Sequence, residues 1–393
     1  MKPIYLDHNS TTAIDPSVAQ AIYECYSEGL VNPASQHQAG QKARRKLENC
    51  RLKMTEMLGG ITSGMQTDYL ILTSGGTESN NLALHGLAYQ AFNNANLNQP
   101  HDAEILVSAV EHPSVIGASE QLSRLGFVVK KIPVDSDGFV CIDVVEKMVS
   151  SKTILISVMM ANNETGVIMP IQQIAKLCRS RKIFFHTDAV QAVTKIDVNL
   201  RDLGVDALTF SSHKFHGPTG IGGLLLRHGV TVNPILHGGF QQSGMRPGTE
   251  NVALAVGMSH AMELYGPNDE IRSRMKTLRD RLQNRLVCQF PNIVINGDID
   301  RTPHTLNFSV PGIDRQSFLL AADMSGLAIS TGSACASGSS DPSPVLLAMN
   351  LDPEIINGSV RISLGAQTTE QEIEDTIDRI SRIIANLGSK SQT

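Results

Sequence analysis

The nine residues IFFHTDAVQ, 183–191, decide how the rest of the chain is read. The run opens on three large apolar residues, as a strand covered on both faces requires. It closes on Asp188, an acid that costs free energy at a buried strand end unless it meets a partner. The spacing predicts a buried strand whose last residue faces a polar site. Four further runs have the same form: DYLILTS (68–74), AEILVSA (103–109), TILISVMMA (153–161) and ALTFSS (207–212). Helical patterns at Ser79–Gln90 and Ile171–Arg181, and an earlier one over 38–58, alternate with them. That order predicts an α/β layered domain with a mostly parallel sheet.

In such a sheet, ligands bind beyond the carboxyl ends of the strands. The five ends carry SGGTESNN (74–81), EHPS (111–114), NNETG (162–166), DAVQ (188–191) and SSHKFHGP (211–218). Gly75, Gly76 and Thr77 stand between a strand and a helix, where an anion can meet free N–H groups; a tight turn capped by Thr77 is the plainer alternative. No GK[ST] and no GxGxxG follows, which excludes a P-loop and a dinucleotide fingerprint. Lys214, flanked by His213 and His216, would lose hydration after an apolar strand and become a Schiff-base nucleophile, or else be a solvated surface lysine. Asp188 could hold the protonated ring nitrogen of pyridoxal phosphate or cap a helix. Gln191 would reach the same pocket, and His112 could stack on a ring, shuttle protons or serve only as a structural histidine. Lys214, Asp188 and the glycine turn on one sheet edge favour the chemical alternatives taken together.

The bulk properties narrow the class. The chain has 393 residues, 41% hydrophobic and 18% charged, with a net charge of −5. An acidic balance without a basic run argues against direct nucleic-acid binding. Residues 1–10 hold no apolar signal core, and the longest apolar run, near 154–161, is too short to cross a bilayer; no membrane association and a cytoplasmic location are expected. Cysteines at 25, 50, 141, 178, 288 and 335 form no CxxC pair, so neither a disulfide framework nor a structural zinc site is expected. From about residue 252 the pattern changes to long helices and separate strands, and the domain boundary is placed near 257. The last helix shows a capping box at Thr369 and Glu372, an isoleucine face, and Gly388 as its stop. Cys335 sits in STGSACASGSSDPS (330–343) among small polar residues with nothing near in sequence to bury it.

These motifs, in this order, resemble those of the cysteine desulfurases, a branch of the class V aminotransferases. The resemblance extends through YLDHNSTT (5–12), NPASQHQAG (32–40), GMRPGTENV (244–252), GSACASG (332–338) and VRISLG (360–365), nearly the whole chain. It implies the type I pyridoxal-phosphate fold: a large domain over 15–257 with a seven-stranded sheet, and a small α+β domain over 258–393 joined by residues 1–14. It also implies pyridoxal phosphate as cofactor, with Lys214 carrying it and Asp188 and Gln191 meeting the ring nitrogen and phenolic oxygen. His112 would stack on the ring, Asn163 would lie beside cofactor and substrate, and Gly76, Thr77, Ser211 and His213 would hold the phosphate. Thr249 would reach the phosphate of the other subunit of a homodimer. Arg361 would grip the substrate carboxylate, and Cys335 would accept sulfur from L-cysteine as a persulfide.

An acceptor protein, for iron–sulfur assembly or tRNA thiolation, would receive that sulfur. The resemblance also admits Cys335 as a ligand to a cluster shared with a scaffold; no other residue is assigned to a metal. Thr219 stands where many relatives have lysine, and GGFQQSG (238–244) where they are richer in glycine and arginine. A selenocysteine lyase or another β-eliminating enzyme of the same fold, and a non-catalytic anion-binding protein that kept the fold, are the alternatives.

Overall fold

The computed structural model describes residues 2–94, 97, 99–332 and 341–388. Its strands are β1 (Ile4–Tyr5), β2 (Tyr69–Thr73), β3 (Glu104–Ser108), β4 (Val128–Ile132), β5 (Thr153–Ser157), β6 (Phe184–Asp188), β7 (Ala207–Ser211), β8 (Gly222–Leu226), β9 (Val294–Ile295), β10 (Thr305–Ser309), β11 (Leu327–Ala328) and β12 (Ser359–Ser363). Seven of them form one sheet in the order β2-β8-β7-β6-β5-β3-β4. Only β8 runs antiparallel to its neighbours; β3 through β7 pair in parallel.

Alternation along each strand feeds two cores. In β2, Leu70 and Leu72 pack in one core with Phe185, Leu208, Phe210 and the helices Gln38–Met57, Ile171–Arg181 and Val252–Tyr265. Ile71 points the other way, into a core with Leu82, Leu87, Val115 and Leu122 from the helices Gly76–Asn94 and Pro113–Arg124. A sheet covered on both faces needs apolar residues in successive positions, which is why five of its strands read as continuous apolar runs.

The apolar run at 153–161 pairs as a strand only to Ser157. Beyond it, Val158 and Met160 still donate to the carbonyls of His186 and Asp188 (3.2 and 2.8 Å) as the chain lifts toward the NNETG turn. Two strands lack that signature. β4 is an edge strand with both lysines of VVKKI exposed, as edges that must not pair often are. β8 opens on two glycines because there is no room for more: a Cβ on Gly222 would lie 2.7 Å from the Gly75 backbone, and one on Gly223 2.5 Å from the Phe210 ring.

The opposite edge, β2, is closed by a side chain. Gln242 accepts from the Leu72 N–H (2.7 Å) and donates to the Leu72 carbonyl (2.8 Å), as a neighbouring strand residue would. Its own backbone is left-handed, φ 51°. Arg51 donates to the Leu70 carbonyl and to Gln242 Oε1 and pairs with Glu250.

A third core lies under the sheet β12-β10-β9. Leu278, Leu282 and Leu286 of the helix Asp269–Gln289 meet Ile373, Ile377, Ile380 and Ile384 of the helix Glu370–Gly388 there. The last helix starts with a reciprocal capping box: Glu372 N–H donates to Thr369 Oγ1 and Thr369 N–H to Glu372 Oε2. Ile4 and Leu6 join this core, and β1 pairs in parallel with β11. The helix Val252–Tyr265 runs through residue 257, and its Met258, Ala261 and Met262 pack in the first core. So do Val345, Leu346, Met349 and Ile356, far along the chain.

Candidate active site

The carboxyl ends of β2, β3, β5, β6 and β7 face one cavity of about 280 Å³. Gly76, Thr77, His112, Asn163, Asp188, Gln191, Ser211, His213 and Lys214 line it, together with Arg361 from β12. Thr249 does not line it and is exposed beyond the turn at 241–244. Cys335 lies outside the described residues.

Asp188 ends β6 almost fully buried. Its Oδ1 accepts from the Val190 N–H (2.9 Å) and its Oδ2 from Asn80 Nδ2 (2.6 Å). The same Asn80 amide donates to Ser114 Oγ (2.8 Å), leaving that hydroxyl free to donate to His112 Nδ1 (2.7 Å). His112 also caps the helix Pro113–Arg124, its Nδ1 accepting from the Ser114 N–H (3.1 Å). Two donors at Nδ1 fix the neutral tautomer with its proton on Nε2. Burial lowers the His112 pKa, with the Lys214 charge acting in the same direction and Asp188 against both.

Lys214 follows β7 in a short 3₁₀ turn, Ser212–Lys214. Its Nζ donates to the carbonyls of Asn9 (2.5 Å) and Ser10 (2.7 Å), so the N-terminal segment forms one wall of the cavity. Gln191 donates to the Asn9 carbonyl as well (3.0 Å). His213, beside Lys214, is pushed down to about 4, chiefly by burial and then by the lysine charge. It is therefore neutral at neutral pH.

Arg361 is 2% exposed, the largest fully buried side chain described. Its guanidinium donates to the Asn163 carbonyl (2.9 Å), to Asp7 Oδ1 (2.8 Å) and to Ser10 Oγ (3.0 Å), while Nε is buried without a partner. These bonds fix the guanidinium in the cavity wall, where its positive charge would attract a carboxylate.

The cavity also fits a phosphorylated ring. The Ser211 hydroxyl and the Asn163 side-chain oxygen are buried with no partner, as groups awaiting a polar ligand are. The turn after β2 approaches Ser211 closely at Gly76, where a Cβ would lie 3.1 Å from Val190 Cγ2 and 3.5 Å from Ser211 Cβ. The helix Gly76–Asn94 starts there, and its first residues Gly76 and Thr77 line the cavity with Ser211, as a helix N-terminus suited to an anion would.

The sequence reading passed over Asn9, Ser10, Asn80, Ser114 and Met159, which also line the cavity. Asn80 carried a signal, four residues beyond Gly76 on the same helix face; Asn9 carried none, since its partners are more than 150 residues away. Two buried acids stand just behind the wall. Glu111 accepts from Ser108 Oγ and the Met159 N–H, both at 2.6 Å, and burial pushes its carboxyl up to about 8. Glu164 is likewise raised by burial, against the opposing effects of Ser343 and Arg361.

Comparison with known proteins gives one consistent result. The family model for aminotransferase class-V matches residues 4–375. The cysteine desulfurase IscS of Dictyoglomus turgidum is 40% identical over 388 residues, covering 98% of this chain and 95% of the relative. A solved NifS-like protein superposes with a TM-score of 0.86 at 34% identity, covering 98% of this chain and 100% of that one. A structure titled SspA in complex with cysteine superposes at 0.80 with 28% identity, over 93% of this chain and 99% of its own.

Proposed function

The chain belongs to the cysteine desulfurases of the aminotransferase class-V family, and we propose that its cavity takes pyridoxal phosphate on Lys214 to remove the sulfur of L-cysteine. The observation that carries this reading is the convergence on one cavity of Asp188 from β6, Lys214 after β7 and Arg361 from the distant β12. When bound, pyridoxal phosphate supplies an electron sink for charge developing at the amino acid's α-carbon.

The protein's part follows from its groups. Asp188, anchored by Asn80 and Val190, holds negative charge where a protonated ring nitrogen would lie. Gln191 is the candidate donor to the phenolic oxygen, and neutral His112 the candidate stacking partner. Gly76, Thr77, Ser211 and His213 would hold the phosphate, with Thr249 contributed by the second subunit of a homodimer. Asn163 would lie beside cofactor and substrate. Arg361 would bind the substrate carboxylate and so orient the α-hydrogen toward Lys214, whose Nζ moves that proton. Cys335, as thiolate, attacks the substrate sulfur. The C–S bond breaks, an S–S bond forms and a proton returns to carbon, giving L-alanine and a persulfide. A sulfur-acceptor protein would then take the sulfur. Among the described residues no helix is long and apolar enough to cross a membrane, and we propose a cytoplasmic site of action.

The test is Cys335→Ala. Alanine formation from cysteine should vanish while borohydride still traps the cofactor on Lys214. Undiminished turnover would overturn the role of Cys335, and a preference for selenocysteine would assign a lyase instead. Absence of any Schiff-base absorbance would leave a binding protein.

A further inference from the structure

Glu164 is 1% exposed, and the chemistry above makes no use of it. It is held from below by the NNETG turn: Asn162 Oδ1 accepts its N–H (2.8 Å), and its carbonyl accepts from Asn307 Nδ2 (3.3 Å). Its carboxylate reaches across to the small-residue stretch that carries Cys335. Ser343 Oγ donates to Glu164 Oε2 at 2.6 Å, and the same serine caps the helix Pro344–Ala348. On the other side of that stretch, a Cβ on Gly332 would lie 2.6 Å from the same oxygen. That oxygen cannot swing aside without breaking its bond to Ser343. Gly332 in turn takes φ 123°, which suits glycine.

Two residues earlier the chain is pinned to the substrate-binding strand. Ser330 and Arg361 exchange main-chain hydrogen bonds of 3.1 and 2.7 Å. One buried carboxylate thus touches the residues on both sides of 333–340, and its neighbour Asn163 holds Arg361.

We propose that Glu164 is a positioning residue for sulfur transfer: by bonding Ser343 and packing against Gly332 it fixes the two described residues that flank the Cys335 segment relative to Arg361. This rests on the reading of Cys335 as the sulfur acceptor. It assigns Glu164 no contact with substrate or cofactor, so binding and chemistry separate on its removal.

The experiment uses the full-length enzyme loaded with pyridoxal phosphate. Glu164→Ala should lower kcat for alanine formation about tenfold or more, with a much smaller change in KM for cysteine, because Glu164 bonds the chain beside the Cys335 segment and reaches Arg361 only through its charge. The cofactor absorbance and its change on adding cysteine should be unaltered. Glu164→Gln, whose amide oxygen still accepts from Ser343, should restore most of the rate. Ser343→Ala should repeat the kcat loss, and the double variant should be no slower than Glu164→Ala alone.

Unchanged kcat in Glu164→Ala would overturn the proposal. So would a double variant whose loss is the product of the two single losses, or an equal loss of cofactor binding. If Glu164→Ala does not fold, Glu164→Gln and Ser343→Ala decide: normal kcat in Ser343→Ala overturns it. Failure of the parent reading is distinct, since it shows as full activity in Cys335→Ala with native Glu164.

Discussion

Asn80 Nδ2 lies 2.6 Å from Asp188 Oδ2 and ties the acid, through Ser114, to His112. Four residues, from the segments that follow or end β2, β3 and β6, therefore share one directional chain of hydrogen bonds. Asn80→Ala leaves the Asp188 oxygen buried without its donor. A lost bond to a charged group is worth about 1.5–3 kcal/mol. Retention of pyridoxal phosphate should fall roughly ten- to a hundredfold, read from titration of the Schiff-base absorbance, and unchanged affinity would show that Asn80 does not govern Asp188.

Arg361 serves two ends at once, holding Asp7 and Ser10 while its charge lines the cavity. Arg361→Lys keeps the charge and loses the fork. KM for cysteine should rise on the order of tenfold or more, the effect of losing a bidentate charged contact, with a smaller change in kcat. Thermal stability should fall as well, because Asp7 loses its guanidinium partner. Steady-state kinetics and a melting curve check both.

Glu111 gives a pH signature. Its folded pKa, about 8, lies above the ordinary 4.5 because burial disfavours the carboxylate. The folded state therefore keeps a proton that the unfolded state releases. The associated stability is complete below about pH 4.5 and is lost as pH rises through about 8. Glu111→Gln stays neutral throughout, so its melting temperature should decline less than the parent's between pH 5 and 8.5. An identical decline in both proteins would show that Glu111 is ionised in the fold.

Gln242 substitutes for a strand on the open edge of β2. Gln242→Ala leaves the Leu72 N–H and carbonyl without partners and removes an acceptor from Arg51. A loss of about 1–3 kcal/mol is expected from the unsatisfied groups, visible in chemical denaturation. Exposed strand edges also invite association, so light scattering on heating should rise earlier.

The sheet was legible where burial was symmetric. β2, β3, β5, β6 and β7 are covered on both faces and announce themselves as apolar runs. β4 was hidden by its lysines and β8 by glycines whose need arises only from the close approach of Gly75 and Phe210. At the site, Lys214, Asp188 and His112 stood out because charged or titratable residues at apolar strand ends call for a reason. Asn9, Asn80 and Ser114 did not, since a neutral amide or hydroxyl is unremarked until its partner is known. Glu164 was quoted within NNETG, yet its partners Gly332 and Ser343 lie about 170 residues on.

The docking of residues 7–10 against Lys214 and Arg361 has a consequence for folding. The Asp7–Arg361 pair spans 354 positions of sequence, so the cavity has both walls only after a pairing between segments very distant in the chain. Contacts this distant in sequence form late. A chain ending at Leu226 would hold every strand of the large sheet, and Lys214, but not Arg361.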